Sequence, residues 1–276
     1  MQPFSWEQAL QDFKSRQVLW VLSMQIQFKI MVYLYMKVRL LLLAIFSCMV
    51  LFCHAETYVV CVGIANYQHI GSLTLPEKDA KSIAKMYKTH TNNVILITGK
   101  YATHDTIIKA LKDQFKRAQN GDYVIFFFSG HGYLGGFCPY DMEEWYKNGL
   151  TFKEIYAIFR ESRASHKIIF ADACYSGSMR RGNKTTKPET SSNVLLFLSS
   201  RSNESSIETP KLKNGFFTAY LERGLRGGAD SNKDKKITAN ELFRFVSNGV
   251  KKVSNDRQHP VMWGNFDDSL VLLDWR

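Results

Sequence analysis

From Thr57 onward, short β-branched apolar runs alternate with stretches of helical periodicity, and few architectures accommodate that order. Residues 58–64, 94–97, 123–128, 168–171, 194–198 and 270–273 read as strands. Between them, Pro76 opens a helix with stripe Ala80, Ile83, Ala84 and Tyr87, and Thr103 caps one with stripe Ile107, Ile108, Leu111 and Phe115. Thr151 and Glu154 form a capping box before Phe152, Ile155, Tyr156 and Phe159, and residues 216–225 and 242–250 are helical. Strands that are apolar throughout are buried on both faces. The prediction is an α/β fold: a three-layer α/β/α sandwich with a mainly parallel sheet of about six strands, over residues 56–276. Composition agrees: 45% apolar and 22% charged residues, with 17 Gly, 6 Pro and 5 Cys, exclude disorder, collagen and a disulfide-dense mini-protein.

Residues 1–55 follow different rules. Met36-Lys37-Val38-Arg39 is a short basic start, residues 40–53 are uncharged, and Cys53-His54-Ala55 ends the run with small residues at −3 and −1. That is the layout of a signal peptide over 36–55, and it predicts an exported (periplasmic or secreted) protein. A membrane anchor, with membrane association through this apolar segment, is the alternative, although 14 residues fall short of the roughly 20 needed to span a bilayer. A lipid-modified Cys48 is a further variant. Residues 1–35 precede a natural initiator Met and read as a leader of doubtful reality. Amino-terminal sequencing of the exported protein separates these readings.

The whole chain carries a net charge of +11. No element interleaves aromatic and basic residues, so the basic surface reads as solvated and no nucleic-acid partner is expected. Beyond residue 55 three cysteines remain, Cys61, Cys138 and Cys174, and an odd thiol in an exported chain points to chemistry. Cys61 lies mid-strand and reads as inert packing; Cys138 reads as a loop packing residue. His69, His90, His104, His166 and His259 share no spacing and read as surface or loop residues.

In a parallel sheet, ligands collect at the carboxyl ends of the strands. Two ends hold reactive side chains. The strand 123–128 runs into Ser129-Gly130-His131-Gly132, and the strand 168–171 runs into Asp172-Ala173-Cys174-Tyr175-Ser176-Gly177. If the two strands are neighbours, their ends lie about 5 Å apart, and an imidazole faces a thiol across one crevice. The stretch from Gly130 to Gly136 reads as a turn or flap, and residues 176–192 as a mobile basic loop.

These two motifs resemble the histidine and cysteine motifs of caspase-like cysteine peptidases, and are most similar to those of metacaspases and bacterial caspase-family proteins. Weaker cues are Gly63-Ile64-Ala65-Asn66-Tyr67, Asp79-Ala80, Pro139-Tyr140-Asp141, Gly215-Phe216-Phe217-Thr218 and His259-Pro260-Val261. The resemblance implies a cysteine-type endopeptidase acting on protein or peptide substrates. It makes Cys174 the nucleophile, His131 the general acid/base, and the N–H groups of Gly132 and Cys174 the oxyanion hole. It makes Asp172 the residue that lines the pocket for Arg or Lys before the cut, because a carboxylate pairs with a guanidinium. Self-cleavage in the loop of Arg180, Arg181, Lys184 and Lys187 is a related expectation. Two alternatives stay open: a catalytically silent caspase-like module that binds a partner or calcium, and a peptidase preferring Asp.

No cofactor is required for this chemistry. Calcium enters through Asp230 to Glu241, which fits EF-hand ligand spacing at loop positions 1, 3, 5, 8, 9 and 12, but with Lys235 where Gly is usual. The simpler reading is a capping box of Thr238 and Glu241. Only half of a helix–loop–helix pair is apparent, and no metal ligand is assigned.

Overall fold

The computed structural model describes residues 6–51, 55–143, 147–173, 193–200, 214–264, 266–267 and 269–275. The chain divides into two units, 1–54 and 55–276. The first contains one helix, α1 (Trp6–Leu51), which runs across the expected boundary at residue 36. Its side chains from Phe13 to Leu43 are exposed. Among the described residues, no helix is long and apolar enough to cross a membrane.

The second unit is built on a six-stranded sheet. Its strands are β1 (Thr57–Gly63), β2 (Val94–Thr98), β3 (Tyr123–Gly130), β7 (His166–Ala173), β8 (Val194–Leu198) and β10 (Val261–Trp263), in the order β10-β8-β7-β3-β1-β2. All pairs are parallel except β10 with β8. A small second sheet, β4 (Gly132–Tyr133), β5 (Gly136–Phe137) and β6 (Leu150–Thr151), forms the expected flap after β3. The helices are α2 (Pro76–Tyr87), α3 (His104–Phe115), α4 (Phe152–Glu161), α5 (Phe216–Arg223) and α6 (Ala239–Val253).

Two separate apolar clusters fill the two sides of the sheet, as the strand composition requires. Phe126 and Phe128 belong to one, with Ile107 and Leu111 of α3 and Ile155 and Phe159 of α4. Phe127, on the opposite face of the same strand, belongs to the other, with Ile83 of α2, Leu221 of α5 and Val246 of α6. The period of two along β3 therefore feeds both layers, and fully burying each such side chain contributes about 1.5–3 kcal/mol. Both capping boxes form, Thr151 with Glu154 and Thr238 with Glu241. The three-layer α/β/α architecture is the one expected.

The sixth strand differs from expectation. Residues 271–274 do form a strand, β11 (Val271–Asp274), but it pairs antiparallel with β9 (Lys236–Thr238), outside the main sheet. The place at the sheet edge is taken by β10, which opens directly after Pro260. Proline lacks the N–H a ladder needs, so a strand beginning after it is suited to an edge.

Candidate active site

The strand order reverses at β1, which has β2 on one side and β3 on the other. In open parallel sheets the crevice at such a reversal lies over the carboxyl ends of the strands. The loop after β1, the end of β3 and the end of β7 converge there. Register fixes the relation of the two reactive motifs. Ser129 pairs with Asp172 and Gly130 with Ala173, so both β3 and β7 extend two residues beyond their apolar runs. His131 and Cys174 are the next residues after the two strands. Cys174 itself, and the basic loop carrying Arg180, Arg181, Lys184 and Lys187, lie outside the described residues.

Two residues of the loop after β1 fix His131. Its backbone N–H donates to the Tyr67 hydroxyl at 2.7 Å, and the Tyr67 ring lies 5.0 Å from the imidazole, centroid to centroid. The ring Nε2 lies 2.8 Å from the Gly71 carbonyl oxygen. A carbonyl can only accept, so Nε2 carries the proton and Nδ1 is the basic nitrogen of the neutral ring. Gly130 makes this possible: a Cβ there would sit 2.5 Å from the Tyr67 hydroxyl oxygen.

Next to it, the flap holds Gly132. The hairpin bond runs from the Cys138 N–H to the His131 carbonyl, 2.9 Å, beside the Gly132–Phe137 pair. In antiparallel pairing this alternation leaves Gly132 and Phe137 as a non-hydrogen-bonded pair. The Gly132 N–H is thus not spent on its partner strand. Phe137 stacks on Phe128 with centroids 4.3 Å apart, which anchors the flap to β3.

On β7, the backbone of Ala173 is clasped by Ser199. The Ala173 N–H donates to the Ser199 hydroxyl at 3.2 Å, and that hydroxyl lies 3.3 Å from the Ala173 carbonyl oxygen. Gln258 donates to the Ser199 carbonyl at 2.9 Å. The residue preceding Cys174 is therefore held from β8 and from the segment before β10.

Asp172 is buried, 6% exposed, and Asp79 of α2 is buried beside it, 1% exposed. Asp172 Oδ2 accepts from the Thr218 N–H (3.2 Å) and hydroxyl (2.8 Å). Asp79 accepts from the Ser129 hydroxyl (2.9 Å) and the Gly215 N–H (3.1 Å). A Cβ on Gly215 would meet Asp172 Oδ2 at 2.8 Å and Asp79 Oδ2 at 3.4 Å, so the two carboxylates flank one glycine. Two buried carboxylates this close repel each other when ionised, and a neighbouring cation or a retained proton relieves that repulsion. Asp172 is a pocket residue by the motif it belongs to, whereas Asp79 enters from the sequence only through the weaker cue Asp79-Ala80. Its spacing from Pro76 gave no sign that it turns inward. Tyr67 and Thr218 enter only as the last residues of two such cues, and Gly71 and Ser199 not at all, since each acts through tertiary contacts.

Cys61 and Cys138 are buried, and burial pushes the Cys61 thiol far above its ordinary pKa, so it is inert. The segment from Asp230 to Glu241 is flanked by helix on both sides, not one: α5 continues into a short π-helical turn, Gly224–Gly228, and α6 follows. Lys235 has φ +66, the left-handed conformation usually given to Gly. The Asp230 carboxylate accepts the N–H groups of Asp234 and Lys235, and Glu241 accepts from Ser231 and Thr238. Among the described residues, no group of three or more His, Cys, Asp or Glu side chains is placed to hold a metal ion.

Comparison with known proteins bears on the family and the fold. The sequence model of the caspase domain matches residues 57–271. A protein of a Desulfuromonadales bacterium named a probable protease is 27% identical over 192 residues, covering 58% of this chain and 23% of that one. The chain thus spans about a quarter of that relative's length. A crystal structure of a Geobacter sulfurreducens protein superposes with TM-score 0.60 at 20% identity, over 80% of this chain and 98% of the other, and shares its fold. With the family match covering nearly all of the second unit, the chain belongs to the caspase-domain family of peptidases.

Proposed function

We propose that the chain is a cysteine-type endopeptidase that cuts after Arg or Lys. The observation that carries this reading is the register of β3 on β7, in which the residues just before His131 and Cys174 are paired, beside two buried carboxylates. The Cys174 thiol gives its proton to His131 Nδ1 as sulfur attacks the scissile carbonyl carbon. The resulting oxyanion accepts from the N–H groups of Gly132 and Cys174; one such donor is typically worth about 100- to 1000-fold in rate. Collapse breaks the C–N bond, and the imidazolium protonates the departing amine. Water, deprotonated by His131, then hydrolyses the thioester and returns the thiol. The Gly71 carbonyl supports the tautomer this sequence needs. Asp172 and Asp79 favour a cationic residue before the cut and disfavour Asp, since a third carboxylate brought beside them adds like charge.

A panel of fluorogenic peptides identical except for Arg, Lys or Asp before the leaving group tests this. Cleavage of the Arg and Lys peptides at least about 100-fold faster than the Asp peptide is expected, from differential ion pairing of about 3 kcal/mol. Equal or faster cleavage after Asp would overturn the assignment of the pocket.

A further inference from the structure

The amino end of the same sheet carries a second concave feature. Between the end of α4, the start of β7 and the residue before β8 lies a cleft of about 390 Å³. Arg160 comes from the last turn of α4, and Arg163 follows just beyond its cap. Lys167 is the second residue of β7 and pairs in register with Val194 of β8. Ser165, Asn120 and Asn193 complete the polar wall. Six strand residues, about 20 Å, separate Lys167 from the carboxyl end of β7, so this cleft is distinct from the catalytic crevice.

Its chemistry is one-sided. Three cationic residues, from α4, the connection after it and β7, line the cleft, and no carboxylate is among the described residues that do so. The Ser165 hydroxyl accepts the Gly121 N–H at 2.8 Å and donates to Asn120 Oδ1 at 2.7 Å. That bond occupies the amide oxygen of Asn120 and leaves its nitrogen as the donor group. Cations near a helix carboxyl end offset the helix dipole, which accounts for Arg160 and Arg163. It does not account for Lys167, which comes from a strand and whose pKa burial draws below the ordinary lysine value. Nor does a helix end require a polar hollow of this size.

We propose that this cleft binds a small phosphorylated ligand, a phosphate ester or short polyphosphate, through Arg160, Arg163 and Lys167. Guanidinium groups offer phosphate oxygens paired parallel donors, and the ammonium adds a compact charge. The volume falls in the range of small-molecule sites, which exceeds the needs of a single inorganic ion. The near absence of apolar wall favours an anion of high charge density over an organic carboxylate.

Calorimetric titration of the purified chain in 0.15 M salt tests this, with tripolyphosphate, inorganic phosphate and citrate as probes. Saturable one-to-one binding of tripolyphosphate is expected, at least about tenfold tighter than of inorganic phosphate or citrate. Arg163→Ala and Lys167→Ala should each weaken it by about tenfold or more, the scale of a lost charged hydrogen bond. Arg163 is exposed, so its variant keeps the fold, and an unchanged Tm verifies this. Lys112→Ala, on the exposed face of α3, should leave the affinity unchanged. Absent or unsaturable binding, equal affinity for citrate, or the same loss from Lys112→Ala would overturn the proposal. The readout is heat, so the result is independent of whether the chain cleaves peptides.

Discussion

Replacement of Cys174 by Ala should abolish peptide cleavage, with kcat/KM falling by about 10,000-fold or more, as removal of a covalent nucleophile does elsewhere. His131→Ala should lower it by about 100- to 10,000-fold, the usual contribution of a general acid/base. The double variant should be no worse than Cys174→Ala, because two groups acting on one proton transfer are not additive. Neither substitution removes a large apolar side chain, so Tm should change little. The assay is cleavage of an Arg peptide with all variants at equal concentration. Activity retained within tenfold in Cys174→Ala would remove the thiol from the mechanism.

The second large effect concerns the two carboxylates. Asp172→Asn and Asp79→Asn keep shape and hydrogen-bonding reach while removing charge. Each should reduce kcat/KM for Arg and Lys peptides by about 100- to 1000-fold, the scale of 3–5 kcal/mol for breaking a buried ion pair from one side. A neutral peptide should be affected far less. The ratio of Arg to neutral rates is therefore the diagnostic quantity, since a purely structural role would lower both together. Asp79 sits under Ser129 and the Gly215 N–H, so its variant also reports whether those donors tolerate an amide.

The interior of this fold is written in its strands. Phe126, Phe127 and Phe128 are consecutive and all buried, as a strand covered on both faces allows. The ends are harder to read. Ser129 and Asp172 are polar, so apolar runs stop short of them, yet both are strand residues whose side chains find buried partners. The edge strand β10 has three residues between Pro260 and Gly264, too few for any period to register. Residues 271–274 are legible as a strand, but their pairing with β9 depends on a contact more than thirty positions away, which no local pattern encodes. The same limit governs the site. His131 and Cys174 are proposed from their motifs and Tyr67 ends a weaker cue, whereas Gly71 and Ser199 have ordinary neighbours in sequence and gain meaning only when the strands align. Asp79 is the instructive case: a helix first turn explains an acid there and a motif cue includes it, but only the fold shows that it is buried beside Asp172.

The central claim is that the sulfur of Cys174 and the imidazole of His131 share one crevice at the joint end of β3 and β7. A crystal structure of the chain trapped with an arginyl acyloxymethyl ketone tests it most directly. The account predicts a covalent bond from Cys174 Sγ to the inhibitor, with His131 Nδ1 within about 4 Å of that sulfur. The inhibitor guanidinium should lie against Asp172 and Asp79. A sulfur far from the imidazole, or an adduct on Cys61 or Cys138 instead, would contradict it.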